Sequence, residues 1–532
     1  MTTLVERDYF SDHSILRDPY AYFEALREHG PVYRDPRTGV VTITGFAEAV
    51  EVLNDSRNWS SLISTTGAGK ELPFTPQGSD ISAQIEANRD KFQGGDLVVT
   101  YDDQMHSKTR ALLSKLFTPS RLKANEQFIA EYSEDLVGKA VANGGVELIK
   151  QIATPFVTLV VADLLGVPAD DRQLFMDAIE AAPPPGNLDD EDYPLDLHPL
   201  FVMGQYFAGY VVDRRETPRD DVLTELSLAT FPDGTMPDAM EIVRIATFLF
   251  GAGQDTSAKL LGNAMRVIAE QPELQDQLRA NPSLIPALLE EVLRLEGSTK
   301  ITSRIARKDT AIAGIPMAAG TRVLIGLSAA NRDPRRWDNP QELILNRPRI
   351  KEHLGFGRGA HVCIGAPLAR VEVRVILEKF LEHTSKIEID ESVHGPAGNR
   401  TLEYEPSFII RGLAEMHLKL TPAENFSAPV ADVSNDKEAK PKRGIFGFGR
   451  KANNDPAEPT RYSVAGTKLN VLLSDPAAKS ILDKHFPGFT TDKRIGMAKG
   501  MTLKAIQKFA PDFFSADALA VVDQELGKLS AG

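Results

Sequence analysis

Residues 356–365 read Phe-Gly-Arg-Gly-Ala-His-Val-Cys-Ile-Gly. Three glycines surround Cys363, a pattern that lets the backbone turn tightly and approach a flat object closely. Backbone amides in such a turn can point at the sulfur, and N–H groups that donate to a thiolate adjust its electron density as a metal ligand. A helical pattern follows over 366–380. Cys363 is therefore predicted to lie at a helix N-terminus, where the helix dipole favours the thiolate.

Cys363 is the single cysteine of the chain. One cysteine excludes an intrachain disulfide framework, a Cys-rich zinc site and a Cys-ligated iron–sulfur cluster. A lone cysteine is usually a small buried hydrophobic residue, but the glycines around this one favour a ligand. A phosphate-binding loop is the alternative interpretation, and it has no need of Cys or His.

The stretch resembles the haem-binding loop of the cytochromes P450, Phe-Gly-x-Gly-x-His-x-Cys-x-Gly, and matches it at every fixed position. The resemblance covers residues from about 10 to 421. It implies a mainly α, α-rich α+β fold and a haem b whose iron is ligated by Cys363. It also implies cofactor contacts at Phe356, Gly357, His361 and Gly365.

A second match is Ala252-Gly253-Gln254-Asp255-Thr256, within an apolar helical pattern over 241–270. The Thr256 hydroxyl is placed to bond the carbonyl of Ala252, four residues back, which opens a local groove in the helix. In the family this groove lies above the haem and holds dioxygen. The resemblance therefore implies that Asp255 and Thr256 deliver protons and that Ala252 and Gly253 border the cofactor.

A third match is the pair Glu291 and Arg294, which spacing i,i+3 puts on one helical face. In the family such a pair is buried with a later arginine and braces the fold behind the thiolate loop. Arg347, in Asn346-Arg347-Pro348, occupies that position, although the family often has Asp in place of Asn346. The resemblance implies a structural role for these three charged residues.

Cationic and hydrogen-bonding residues are expected around the haem propionates. His106 and Arg110 lie four apart and share a helical face, which suits a propionate. Arg304 and His361 resemble further propionate partners, and such groups would offset the desolvation of two buried carboxylates. His353 is divided between a propionate contact and a structural role.

The resemblance implies a monooxygenase that inserts one atom of O2 into a hydrophobic small molecule, by hydroxylation or dealkylation. A peroxygenase driven by hydrogen peroxide is one alternative, and a thiolate-haem sensor or carrier is another. Both have no use for the acid–alcohol pair, which favours dioxygen chemistry. The chain has neither an iron–sulfur domain nor a recognisable flavin fold, so NAD(P)H would act indirectly, through a separate ferredoxin and its reductase. Lys108, Lys115 and Arg358 are candidate docking charges for that ferredoxin.

The substrate pocket is predicted to be mostly apolar, which suits a terpenoid, a steroid or an aryl compound. Lys300 is the exception, because its ammonium could meet a substrate carboxylate or reach water instead. The candidate walls are the 60–100 and 181–200 loops together with Phe248, Leu249, Thr299, Lys300, Ile301, Phe408 and Ile409.

Charge and hydropathy exclude other classes of protein. The 532 residues carry a formal net charge of −14, which argues against a nucleic-acid binder and against broad attraction to anionic membranes. The first ten residues are polar, and no stretch approaches the roughly 20 apolar residues that cross a bilayer. We expect a soluble, cytoplasmic protein.

The order of patterns along the chain predicts three units: a haem domain (1–421), a flexible linker (422–465) and a small helical domain (466–532). In the first unit, helical patterns at 168–181, 241–270 and 285–295 alternate with strand-like runs at 40–43, 310–312, 322–327 and 416–420. Asp475-Pro476 is typical of a helix start, and helices are expected at 477–485, 502–509 and 516–529. The third unit carries no cofactor motif, so a role in protein interaction is expected.

Overall fold

The computed structural model describes residues 3–114, 116–180, 199–428, 462–491, 502–507 and 513–529. Lys115, most of the 181–200 loop and most of the predicted linker 422–465 lie outside the described residues.

Helices dominate the described chain, which confirms the predicted mainly α fold. In chain order they are α1 (His13–Arg17), α2 (Tyr20–Glu28), α3 (Phe46–Asn54), α4 (Ser82–Ala87), α5 (Asp103–Ser114), α6 (Pro119–Ala142), α7 (Thr154–Leu165), α8 (Arg172–Glu180), α9 (Pro199–Glu216), α10 (Val222–Leu228), α11 (Ala239–Ala269), α12 (Pro272–Ala280), α13 (Ile285–Glu296), α14 (Leu327–Ala330), α15 (Ala366–His383), α16 (Glu391–His394), α17 (Leu469–Ser474), α18 (Pro476–His485), α19 (Leu503–Gln507) and α20 (Ala516–Leu526). Among the described residues, no helix is both long and apolar enough to cross a membrane.

The strands form small sheets at the periphery. They are β1 (Val32–Arg34), β2 (Val41–Ile43), β3 (Trp59–Ser60), β4 (Gly145–Glu147), β5 (Ile301–Ala306), β6 (Thr310–Ile312), β7 (Ile315–Met317), β8 (Arg322–Gly326), β9 (Thr384–Ile389) and β10 (His417–Pro422). One sheet has the order β1-β2-β8-β5-β3, with β2 and β8 parallel; a second has the order β4-β10-β9, and β6 pairs with β7.

The longest helix, α11, runs through the middle of the core. Its first turn is capped by the Asp238 carboxylate, which accepts from the amide of Glu241 at 2.7 Å. The helix packs against α7, α9, α13 and α15, and most of its second half is buried. Because α15 follows the cysteine loop, this packing brings α11 and that loop to opposite sides of one space.

Glu291, Arg294 and Arg347 meet in a buried cluster, named here the Glu291 cluster. Arg294 donates to both carboxylate oxygens of Glu291 at 2.9 Å, and Arg347 donates to Oε1 at 2.8 Å. The remaining donors of Arg294 reach backbone carbonyls, among them Pro340 at 2.6 Å. Burial opposes ionisation of Glu291, but these bonds outweigh it and lower its pKa. The cluster ties α13 to the chain that leads into the cysteine loop.

The small C-terminal helices pack around their own apolar side chains, including Phe486, Phe489 and Phe514. Asp475 accepts from the amides of Ala477 and Ala478 at 2.7 and 3.1 Å, so the predicted helix start is confirmed. Lys468 links this unit to the rest of the chain, because its ammonium lies 2.8 Å from the carboxylate of Asp171.

The predicted end of the first unit at residue 421 falls inside an element. Strand β10 continues to Pro422, and the amide of Ala423 donates to the carbonyl of His383 at 2.9 Å. The ring of Phe426 packs against the ring of His383, with centroids 5.5 Å apart. Contacts with the first unit therefore extend several residues beyond the predicted boundary.

Candidate active site

A cavity of about 320 Å³ separates α11 from the cysteine loop. Its distal wall includes Ala252, Gly253 and Thr256 of α11, and its opposite wall includes Phe356 and Cys363. The sequence places these two walls more than a hundred residues apart, and the packing of α15 on α11 joins them.

The cysteine loop is shaped by glycines in the left-handed region of backbone space. Gly357 has φ +67° and Gly359 has φ +73°, and a β-carbon on Gly359 would collide with the carbonyl of Leu53. The amide of Cys363 donates to the carbonyl of Phe356 at 2.9 Å, which closes the loop. Only a chain without side chains at these two glycines turns the cysteine toward the cavity in this way.

The Cys363 sulfur is open to the cavity although it lies deep among protein atoms. Burial raises the pKa of the Cys363 thiol, while the backbone N–H groups of Gly365 and Ala366 and the charge of Arg110 favour the thiolate. The predicted amide-to-sulfur bonds are thus present. Such bonds stabilise a thiolate once a metal supplies the remaining charge.

Four basic side chains gather at one edge of the cavity. His106 and His361 stack with ring centroids 4.0 Å apart, and Arg110 and Arg304 complete the group. Burial lowers the pKa of His361 to about 2, and the charges that act on it, from Arg304, His106 and Arg110, are all positive. Burial also lowers the pKa of Arg304 to about 10. Two arginines, together with two imidazoles whose charged forms are disfavoured by burial and by the arginine charges, offer hydrogen-bond donors that suit an anionic ligand.

The distal wall carries the predicted hydroxyl bond. Thr256 Oγ1 donates to the carbonyl of Ala252 at 2.7 Å, within the continuous helix α11. Asp255 does not line the cavity. Its carboxylate faces Lys259, one turn on, at 3.9 Å between Oδ1 and Nζ.

Comparison with known proteins gives a consistent result. The family model described as Cytochrome P450 matches residues 205–393. Cytochrome P450 144 of Mycobacterium tuberculosis is 30% identical over 425 residues, covering 79% of this chain and 92% of the relative. The chain belongs to the cytochrome P450 family.

Solved P450 structures extend the likeness. That of substrate-free CYP150A6 from Mycobacterium marinum shares 46% identity and a TM-score of 0.74, and covers 79% of this chain and 100% of that one. CYP109E1 from Bacillus megaterium in complex with corticosterone shares 25% identity and a TM-score of 0.64, over 76% of this chain and 99% of that one. As a P450, the chain is a haem-dependent monooxygenase.

The residues around the cavity fit the haem of a P450. The free thiol of Cys363 lies on one wall of the cavity. Four basic side chains lie at the edge where the two propionate carboxylates would be placed. Cys363 would ligate the iron, and His106, Arg110, Arg304 and His361 would bind the propionates.

The predicted substrate wall is correct only in part. Phe248, Leu249 and Thr299 line the cavity. The other four do not line this cavity. Ile301, in β5, belongs to a second apolar cluster, and Phe408 and Ile409 pack against that cluster. Of the 60–100 loop, Val98 and Val99 reach the cavity.

Lys300 meets neither of the partners suggested by the sequence, a substrate carboxylate or water. Its ammonium donates to the carbonyl oxygens of Leu16 and Ser407 and is fully enclosed. Burial, with a contribution from Arg411, lowers its pKa to about 7. Lys300 therefore joins the N-terminal segment to a late loop and meets no ligand in the cavity.

The structure also gives partners to His353 and to the candidate docking charges. His353 Nε2 donates to the Glu290 carboxylate at 3.0 Å, its Nδ1 accepts from the amide of Gly355, and Arg370 donates to the same carboxylate, so His353 has structural partners. Lys108 pairs with Asp233 at 2.6 Å, and Arg358 lines the cavity. Lys115 lies outside the described residues, and a docking role for these three charges stays a prediction.

Sequence reasoning missed a buried acid on the cavity wall. Glu372 of α15 is 1% exposed and bonds the hydroxyl of Ser257, next to Thr256. Burial raises the pKa of Glu372 to about 8, with Ser257 opposing the shift. Glu372 lies nine residues after Cys363, in the helix that follows the cysteine loop, and this position gave no hint of the partner on α11.

Proposed function

We propose that this P450 uses O2 to hydroxylate or dealkylate a hydrophobic small molecule, with electrons from a separate ferredoxin and reductase. The observation that carries the proposal is the cavity itself. It holds an open cysteine on one wall, a threonine groove on the facing wall and apolar side chains between them.

When bound, the haem supplies the activation of dioxygen, and the thiolate ligand favours cleavage of the O–O bond. The residues of the chain do the rest. Phe248, Leu249 and Val161 exclude water and orient an apolar substrate. Thr256, anchored on Ala252, keeps its oxygen lone pairs directed into the groove, where they can hold a proton or a water.

The cofactor assignment is tested by Cys363→Ser. The reduced, CO-bound protein should lose its thiolate-type spectrum, because the chain contains no second cysteine. A variant that kept this spectrum would contradict the assignment of Cys363.

The choice of oxidant is tested by comparing two reactions of the wild-type protein. Product should form with NADH, a surrogate ferredoxin and its reductase, and should form much more slowly with hydrogen peroxide alone. Faster product formation with peroxide would support the peroxygenase alternative. A protein that binds ligands but turns over with neither oxidant would support a sensor or carrier.

The substrate class is proposed to be steroid-like or terpenoid. The cavity walls are largely apolar, and a relative of similar fold has been crystallised with corticosterone. A panel of steroids, terpenoids and aryl compounds, read by the spin-state shift of the haem spectrum, tests this directly. Binding confined to charged or strongly polar compounds would overturn the proposal.

A further inference from the structure

Asp255 belongs to a group of three charged residues that the sequence does not bring together. Lys259 lies one turn after Asp255 on α11, and its ammonium pairs with the carboxylate of Glu405. Glu405 comes from the late hairpin in which Tyr404 pairs with Leu413. We call Asp255, Lys259 and Glu405 the Asp255 cluster.

The hairpin is shaped to receive the lysine. The amide of Glu405 donates to the carbonyl of Gly412 at 3.0 Å, so the two residues face each other across the hairpin. The aliphatic stem of Lys259 lies directly against Gly412, where a β-carbon would collide with it. Gly412 therefore leaves the space through which the ammonium reaches Glu405.

The charges of the cluster do not balance. One ammonium serves two carboxylates, and Lys259 and Glu405 have side chains only 6% and 15% exposed. With all three groups ionised the cluster would carry a net negative charge in a poorly solvated place, which is unfavourable. Taking up one proton makes it neutral, and two interacting carboxyls then share that proton as a pair.

The three groups differ in how tightly they are held. Glu405 is in direct contact with the ammonium, whereas Asp255 is 3.9 Å away, beyond hydrogen-bond distance. The side chain of Asp255 is 26% exposed, so water can reach it. Burial raises the pKa of both acids; Lys259 opposes the shift at each, and Asp255 adds to the shift at Glu405. Among the described residues, Lys259 is the one cation that acts on either acid.

We propose that Lys259 and Glu405 are positioning residues that hold Asp255 as a loosely tethered, protonated acid beside Thr256. Glu405 occupies the ammonium, which would otherwise lock Asp255 as a carboxylate. The carboxyl O–H of Asp255 breaks when its proton passes to the Thr256 groove, and water returns a proton to the exposed carboxylate. The inference rests on the proposed function, since it concerns the proton that dioxygen chemistry consumes.

The cluster makes a prediction that a purely structural role does not make. Glu405→Gln releases Lys259 to Asp255, so the pKa of Asp255 should fall by about one unit or more. Lys259→Met removes the opposing charge, so the pKa of Asp255 should rise by about one unit or more. Loss of packing alone would not shift one titration in opposite directions.

The measurement is a pH-difference infrared titration of protonated carboxyl groups in the ferric, haem-loaded full-length protein. Asp255→Asn identifies the band, and Glu403→Gln is the matched control, because Glu403 lies in the same hairpin with a side chain 60% exposed. Lys259→Gln is a second lysine variant in case Lys259→Met fails to fold. Glu405→Gln is isosteric, and the shift of the Asp255 pKa in that variant is sufficient by itself to test the proposal.

Product formed per NADH is then measured against pH for the same variants. The alkaline limb should move to lower pH in Glu405→Gln and to higher pH in Lys259→Met or Lys259→Gln. Shifts of the Asp255 band in the same direction, or no shift, would overturn the proposal. Opposite band shifts with an unmoved pH profile would also overturn it, since the proton of Asp255 would then not serve the reaction. Failure of the proposed function is separate, because it appears as absence of NADH-driven product in the wild type.

Discussion

The Glu291 cluster and the Asp255 cluster are built from the same kinds of residue and have opposite charge balance. Two arginines surround one carboxylate in the Glu291 cluster, and the two acids of the Asp255 cluster share one lysine. Arginine forms fixed, forked bonds that satisfy a buried carboxylate, whereas lysine is a movable point charge. The pKa of Glu291 is accordingly lowered, and the pKa of Asp255 is raised.

This difference in charge balance separates a structural ion-pair cluster from an acid that can donate a proton. A carboxylate with surplus cations stays ionised and fixes the backbone around it. A buried carboxylate with too little positive charge nearby has a raised pKa and is more easily protonated. The position of each cluster agrees with that division, because the Glu291 cluster lies behind the cysteine loop and the Asp255 cluster adjoins the groove.

The largest effect on stability is expected from disrupting the Glu291 cluster. Arg294→Met removes one partner of an ion pair in which both side chains are fully buried, and it leaves backbone carbonyls without donors. The free energy of unfolding should fall by about 3–5 kcal/mol. Urea unfolding and haem content of the purified variant measure this loss.

Arg349→Gln is the control for that measurement. Arg349 pairs with Glu352, but its side chain is 71% exposed. An exposed pair of this kind contributes about 0–1 kcal/mol. Equal losses in the two variants would contradict the role assigned to the Glu291 cluster.

The second prediction concerns the groove beside the Asp255 cluster. Thr256→Ala removes the hydroxyl that bonds Ala252 and should leave substrate binding intact while reducing equivalents leak to peroxide. Product per NADH should fall about tenfold, an effect of about 1.4 kcal/mol on the productive branch. Thr256→Ser retains a hydroxyl and should restore most of the coupling; an unchanged ratio in Thr256→Ala would contradict the proton-holding role.

The two clusters can be compared in a single protein through the pH dependence of stability. A lowered carboxyl pKa, as in Glu291, contributes stability above the unfolded pKa and loses it as pH falls. Raised pKa values, as in Asp255 and Glu405, do the reverse, so their cost grows as pH rises above the ordinary values of 3.8 and 4.5 respectively.

Glu405→Gln should therefore stabilise the protein at pH 8 relative to pH 5, because it removes a carboxyl group whose pKa burial raises. Glu291→Gln should destabilise the protein at pH 8 and lose much of that penalty at low pH. Thermal melts of both variants between pH 4 and 9 measure how the change in melting temperature depends on pH. If this pH dependence had the same sign in the two variants, the distinction between the clusters would be contradicted.

The sequence predicted what is local and missed what depends on distant contacts. Three features each involve residues close together in the sequence, so turn and helix rules give their geometry: the cysteine loop, the Thr256–Ala252 bond and the Glu291–Arg294 pair. Lys259 also stood at helical spacing from Asp255, and a lysine inside an apolar helix was a usable signal. Glu405 had none, because only the folded hairpin brings it to α11.

Lys300 shows why a single unusual residue is hard to interpret from sequence. Its charge in an apolar stretch suggested a ligand, and the structure gives it two backbone carbonyls instead. Those carbonyls belong to residues 284 and 107 positions away, which no spacing rule relates to Lys300. The apolar pocket class was predictable from composition; which side chains form its wall was not.

The smallest effect is expected at a third ion pair, which joins the C-terminal helices to the rest of the chain. Lys468 and Asp171 have side chains 37% and 15% exposed, and the ammonium also lies over the ring of Tyr206, 5.3 Å from its centroid. The pair is balanced and partly solvated, unlike either cluster above. Lys468→Met should therefore lower the free energy of unfolding by less than about 1 kcal/mol.

Removal of the C-terminal helices tests how much these helices contribute to the P450 core. The Mycobacterium marinum P450 structure is matched over its whole length by 79% of this chain, so a P450 fold does not require such an extension. A chain ending at Ala428, rather than at residue 421, keeps strand β10 and the contact of Phe426 with His383. It should retain haem content and ligand-induced spin shifts, while any change should fall on the ferredoxin concentration needed for half-maximal turnover. Loss of haem in this shortened chain, but not in Lys468→Met, would show that the apolar packing of the C-terminal helices, and not their ion pair, supports the P450 core.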